Sequence, residues 1–246
     1  MRKTTNQRGT IAGAFIIAIL VFSVFTVLRL TTATPYGPVL DYNNTETPGT
    51  STSGLMLNHT KGKITTLRLN VSSPNTDWKG YVGNISGVLV LDDTNNYTLF
   101  KWNVTTVSGE IYATRNSGAI NWGNIVCANS GNVSAEETAM GIGGSEDDSI
   151  SNTFDDGNHP EFYVGTTQFT ANQCTYSAYM YVNDQPQSSV FSEVLLSDGN
   201  YIIYTGILTN NQAGFDNNQY DFEMIVAENG GISSNQAYYF YVELGS

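Results

Sequence analysis

Past Arg115 the chain contains no lysine and no arginine. The 131 residues from Asn116 to Ser246 carry sixteen Asp and Glu, and the whole chain of 246 residues has a net charge of −12. A surface of that sign repels phosphate, which argues against nucleic acid as a partner. It repels anionic lipid headgroups too, so membrane attachment has to come from a buried segment. What it does attract is divalent cations and water. Histidine is scarce: His59 and His159 are the only two. Cysteine is limited to Cys127 and Cys174, with no C-x-x-C, so a zinc site lacks ligands. No G-x-S-x-G elbow, H-E-x-x-H pair or Walker loop is present. "GIGG" at 141–144 follows no strand pattern and opens no evident helix, so it reads as a loop and not as a dinucleotide cradle. Nucleophilic catalysis normally wants a basic partner, and the chain has only two histidines and no lysine in its distal half. A carboxylate pair for glycoside hydrolysis stays open, because many pairs exist and sequence fixes no separation. The expectation is a non-enzymatic protein without a cofactor.

What is present begins with a run of apolar residues. From Ile11 to Leu28 there are eighteen residues without a charge. As a helix that run is about 27 Å long, close to the hydrocarbon thickness of a bilayer. A soluble helix would show a polar face, and this one shows none. Arg2, Lys3 and Arg8 precede the run, while Arg29 alone follows it closely. That asymmetry predicts a single span with a cytoplasmic N-terminus and everything past residue 30 outside the cell. The apolar core exceeds the 7–15 residues usual for a cleaved signal, which favours retention. Removal would use "TTAT" at 31–34.

The exported part opens with residues 31–60, rich in Thr, Ser, Pro, Gly and Asn. Pro35, Pro38 and Pro48 forbid a continuing helix, and the stretch reads as a flexible stalk. Beyond it the apolar pattern has period two. "TTLRLNV" sets Leu67, Leu69 and Val71 on one face, and "YTLFKWNVT" sets Phe100, Trp102 and Val104 on one. "TVSGEIYATR" is expected to return as the second strand of a hairpin through Ser108-Gly109. "EFYVG", "TYSAYMYV", "VFSEVLL", "NYIIYTGIL", "YDFEMIVA" and "AYYFYVEL" follow, separated by turn residues. About ten strands with no convincing helix among them predict an all-β ectodomain, an antiparallel β-sandwich or jelly roll. A split into two small sandwiches near "SGNVSAEETAMGIGGSEDDS" is the weaker alternative, because the two cysteines flank that segment. Outside the cell, Cys127 and Cys174 are expected to form a disulfide. Sequons for N-glycosylation begin at Asn43, Asn58, Asn70, Asn84, Asn96, Asn103 and Asn132, and none follows Ser134. That distribution predicts a glycan-coated proximal region and a bare, acidic distal half.

Two stretches offer ligand chemistry. In "SEDDSISNTFDDGNHPE" the side chains of Glu146, Asp147, Asp148, Asp155, Asp156, Asn158 and Glu161 are hard oxygen donors suited to Ca²⁺, although the spacing is not that of an EF-hand. A solvated acidic loop is the plainer alternative. Ten of the fifteen tyrosines lie from Tyr163 onward. In "AYYFYVEL" one face, with Tyr239 and Tyr241 beside Glu243, is open to stacking on sugars or on another protein. Packing beneath a loop is again the plainer alternative.

"FDDGNHPEFYVG", "EVLLSDGNYIIYTGIL", "GFDNNQYDFEMIVAENG" and the closing "YYFYVEL" resemble uncharacterised membrane-anchored surface proteins of small-genome archaea, over roughly residues 154–244. The organisation also resembles archaeal type IV pilins and archaellins, in which a basic leader ending in Gly precedes an apolar helix and a β-domain. "QRG" before "TIAGAFIIAIL" fits processing between Gly9 and Thr10, while Ala14 stands where bacterial pilins carry Glu. Together these readings give a cytoplasmic leader over 1–10, a membrane helix over 11–30, a glycosylated stalk over 31–60 and the β-domain over 61–246. The expected role is structural or adhesive at the cell surface. The alternatives are a filament or surface-layer subunit, assembled through the helix or by donor-strand exchange, and a carbohydrate-binding module.

Overall fold

The computed structural model describes residues 35–46, 74–186, 189–229 and 236–245. The expected membrane helix, the leader with Gly9 and Thr10, and the "TTLRLNV" strand lie outside the described residues. Among the described residues no helix is long and apolar enough to cross a membrane.

The described chain is mostly β. It opens with β1 (Trp78–Gly83), β2 (Val88–Asp92), β3 (Thr98–Asn103) and β4 (Gly109–Thr114). After β5 (Val126–Cys127) comes a helix, α1 (Ser130–Met140), and then a single turn, α2 (Ile150–Thr153). Short strands follow: β6 (Phe162–Val164), β7 (Thr167–Phe169), β8 (Ser177–Tyr179), β9 (Tyr181–Val182) and β10 (Gln185–Pro186). The chain closes with β11 (Ser192–Ser197), β12 (Ile202–Ile207), β13 (Gln212–Ala213), β14 (Gln219–Tyr220), β15 (Phe222–Ala227) and β16 (Tyr239–Leu244).

One antiparallel sheet organises the rest, in the order β16-β4-β12-β11-β5, with β8 also on the outer edge of β11. β11 and β12 are apolar on both faces because both faces are covered. Leu195 and Tyr204 pair across the ladder and face one core with Ala113, Met140, Phe154 and Met224. Leu196 and Ile203 pair one step along and face the other, with Tyr112, Phe162, Phe169 and Cys174. The β1–β15 ladder and the helices close the first face. The β6–β7 hairpin closes the second.

Two expectations are corrected here. β4 does not return against β3; it pairs with β12 and β16, while β3 pairs with β2. The turn at Gly109 explains this. Its φ of +117° is open to glycine alone, and a Cβ there would strike the Glu243 carbonyl and the Gly245 amide, so the chain can enter the sheet hard against β16. The second correction is the helix. No helix is expected past residue 30, yet "SGNVSAEETAM" is α1. Asn129 caps it by accepting from the Gly131 and Asn132 amides, Asn132 bonds back to the Asn129 amide, and Gly141 ends it in the left-handed conformation at φ 71°.

α1 docks through a charge pair. Arg115, one residue past β4, donates from Nε and Nη2 to the Glu136 carboxylate at 2.8 and 2.5 Å. Glu136 is almost wholly buried. Arg115→Met therefore leaves a buried carboxylate unpaired, at a cost of about 3–5 kcal/mol. The expected result is a melting point lowered by about 10 °C, with most of the loss recovered in Arg115→Met/Glu136→Gln. The second staple is covalent: Cys127 on β5 and Cys174 past β7 form a disulfide, with Cα atoms 5.2 Å apart and a sequence separation of 47. Closing that loop contributes about 4 kcal/mol in the chain-entropy model, so reduction should lower the melting point by about 8 °C or more. A transition unchanged by dithiothreitol would refute this.

Candidate functional site

The residues with ligand chemistry come together where β1 meets the α1–α2 loop. The indole of Trp78 donates to the Asp148 carbonyl at 2.8 Å, and the Asn75 amide donates to the Asp148 carboxylate at 2.6 Å. The loop itself is wound by Glu146 N–H to Gly143 O at 2.9 Å and Ser149 N–H to Glu146 O at 3.0 Å. These contacts bring carboxylate oxygens of Asp77, Glu146 and Asp148 within 4.8 Å of one another. Three hard oxygens in a partly exposed cluster suit Ca²⁺ better than Zn²⁺.

Of the ligand set read from sequence, Glu146 and Asp148 join this cluster. Asp147 is exposed beside it. α2 separates the others: Asp155 is exposed, Asp156 accepts from the Tyr179 amide at 3.2 Å, Asn158 donates to the Asp156 carbonyl at 3.0 Å, and Glu161 accepts from the Tyr163 hydroxyl at 3.3 Å. Glu146 was legible in the same loop. Asp77 had no local signal, since it is the Trp78 and Asn75 bonds to Asp148 that set the start of β1 beside this loop.

The sequons sit differently. Asn43, Asn84, Asn96 and Asn103 are exposed, whereas Asn132 is half-buried in the first turn of α1 with its side chain in the cap. Asn58 and Asn70 lie outside the described residues. Two exposed apolar elements accompany them. In the β2–β3 hairpin Leu89 faces Trp102 and Leu91 faces Phe100, so all four share one side, at 47–55 % exposure. Asn103 and Lys101 occupy the opposite side. The second element is the segment 35–46, exposed past the buried Pro35 and without regular structure beyond a bridge at Tyr36. Its Tyr36 exchanges main-chain hydrogen bonds of 3.0 and 2.8 Å with Val242 on the outer edge of β16. The next hydrogen-bonded pair would set Pro38 against Phe240, and proline has no N–H, so pairing stops.

The distal tyrosines do not form a row. Tyr241 packs edge-on against Trp122, Tyr238 donates to the Ala227 carbonyl at 2.6 Å, and of that strand's tyrosines Tyr239 is the exposed one. Glu243, expected beside them at the surface, is buried. His159 is buried as well: its Nε2 accepts from the Cys174 amide at 2.9 Å and its Nδ1 donates to the Pro160 carbonyl at 2.7 Å. Burial holds it below the ordinary histidine value, so it stays neutral near pH 7. A half-open depression of about 270 Å³ lies beside it, lined by Pro160, Tyr179, Ser192, Ile207 and Thr209. No family model, no curated protein and no solved structure matches the chain.

With a dissociation constant of about 1 mM, typical of extracellular Ca²⁺ modules, 10 mM Ca²⁺ contributes about 1.4 kcal/mol. The melting point should rise by about 3–5 °C, and Asp148→Asn should abolish the rise. An equal rise in the variant would mean that the ion acts elsewhere.

Proposed function

We propose that the chain is a single-span cell-surface glycoprotein with a structural or adhesive role and no enzymatic activity. The observation that carries this reading is the Cys127–Cys174 disulfide, in a chain whose N-terminus holds eighteen uncharged, largely apolar residues. Disulfides persist in oxidising compartments, and such a run suits a bilayer. Residues 11–30 then hold the lipid, 31–60 form the stalk, and the rest is the displayed domain. We read its six-stranded sheet, covered on both faces, as a variant of the antiparallel sandwich or jelly-roll class. The exposed sequons support glycosylation. The apolar side of the β2–β3 hairpin supports an adhesive role, since such patches on soluble domains commonly mark contact surfaces.

A filament subunit is the second reading, favoured by the single bridge of Tyr36 on the edge of β16. The segment at 35–46 of one copy would pair with that edge on the next.

Mass spectrometry of the native, cell-derived protein tests both. The expected result is an intact N-terminal segment, with glycans on Asn43, Asn84, Asn96 and Asn103 and none on Asn132, whose side chain is committed to the cap. A chain beginning at Thr10 would replace the anchor with prepilin-type processing and make the filament the leading reading. A chain beginning near Thr34 would leave no anchor and overturn the proposal.

A further inference from the structure

Two glutamates lie opposite each other inside the sheet. Glu110 on β4 and Glu243 on β16 are a direct cross-strand pair, and both are about 95 % buried. Opposed Cβ atoms in such a pair are about 5 Å apart, close enough for two carboxylates to repel strongly away from water. Among the described residues, their carboxyl groups reach the β6–β7 hairpin and no cation. The Tyr163 amide donates to Glu110 Oε1 at 3.3 Å, and the Gly165 amide donates to both oxygens of Glu243 at 3.0 Å. The Tyr112 hydroxyl donates to Glu243 Oε2 at 3.0 Å.

Among the described residues, the groups around the pair are all acidic or neutral. β4 contributes Tyr112, β16 contributes Tyr241, and β12 places Ile207 opposite Glu110. From the hairpin come Tyr163 and, beyond it, the exposed Glu161, while the neutral His159 stacks edge-on over Phe162. The three described cations are engaged elsewhere or distant in the fold: Arg115 with Glu136, Lys79 over Tyr81, and Lys101 out on β3.

We propose that Glu110 and Glu243 share a proton and form a pH-dependent clasp, which holds the β6–β7 hairpin on the sheet in acid and releases it as the medium becomes alkaline. With one proton between them, each carboxyl keeps its bond to a hairpin amide without facing a second full charge. Removing that proton to solvent leaves two carboxylates side by side in a dry site. The pair can then separate only by letting water in, and the hairpin is the lid over it. Burial is the main cause that pushes Glu110 up, to about 8, with the charge of Glu243 adding to it; burial raises Glu243 as well. Both groups are raised above their unfolded values. Their stabilisation is therefore fully present below about pH 4.5 and is lost as pH climbs toward 8.

Hydrogen exchange of the full-length chain, followed from pH 5 to pH 9 and corrected for intrinsic rates, tests the clasp. The amides of Tyr163 and Gly165 should lose protection by at least about tenfold over that range, while those of β11 and β12 keep theirs. Glu110→Gln should hold the hairpin protected at pH 9. Three results would overturn the proposal: hairpin protection that stays flat in the wild type, hairpin and central strands that lose protection together, or a folded Glu110→Gln chain that loses it as the wild type does. Should that variant not fold, the wild-type profile decides alone, because β11 and β12 serve as its internal reference.

Discussion

Carboxylates in this protein are held by main-chain amides. Among the described residues there is one salt bridge, Arg115 to Glu136, and the remaining buried acids find N–H groups instead. Asp221 accepts from Ile85 and from Asn211, each at 2.8 Å, and so ties the loop after β1 to the turn before β13. Glu223 accepts from Phe215 at 2.7 Å and fixes the β13–β14 turn. Glu193 reaches across the first core from β11 to the Ile225 amide at 2.8 Å and fastens the β1–β15 ladder. Glu243 does the same for β6–β7 on the other face. The β1–β15 and β6–β7 ladders are thus sewn to the central sheet by carboxyl groups that accept from main-chain amides. The distal half of the chain contains no lysine or arginine, so few other donors were on offer.

The same economy decided what could be read from sequence. Strands β11, β12, β15 and β16 were legible because burial on one or both faces imposes alternation or a continuous apolar run. The helix α1 was not. Its buried positions are Val133, Glu136, Glu137 and Met140, at helical spacing, but two of the four are charged. Glu136 is matched by Arg115, and Glu137 by the Ser151 amide and hydroxyl at 2.9 and 2.8 Å. Partners that distant in the chain leave no local trace, so a buried glutamate reads as a solvated one. Asp77 was missed in the acidic cluster for the same reason. The disulfide was legible because with two cysteines the arithmetic allows a single pairing. Glu243 was misplaced because alternation separates the two faces of a strand without saying which of them another layer covers.

The hairpin β2–β3 stands outside this scheme. Among the described residues no carboxyl group sews it to the sheet; it adjoins the body at its base, where Gly87 meets the Leu244 side chain. Two strands alone are marginal in water, and the four apolar side chains on one side gain little from each other's company. Such an element is stabilised by whatever covers it. The sequons bear on which side is free, since Asn103 points with Lys101 away from Leu89, Leu91, Phe100 and Trp102. A glycan on Asn103 would therefore leave the apolar side uncovered.

The anchor and filament readings make different demands on one short segment. At residue 36 the chain touches β16 through two hydrogen bonds, and Pro38 prevents a third in register. Exchanging that contact for the same one on a neighbouring copy would cost and return about the same 1–3 kcal/mol, so hydrogen bonding alone does not choose between them. Geometry is permissive as well: the twelve residues from Pro35 to Glu46 span about 40 Å when extended, the width of a domain. Charge weighs on the other side. Two bodies with so many uncompensated acids repel when brought edge to edge, and the repulsion weakens only in acid or at high ionic strength. Strand exchange between copies is therefore favoured by the same acidic medium that keeps Glu110 and Glu243 protonated, and a neutral, dilute medium favours the segment staying on its own sheet.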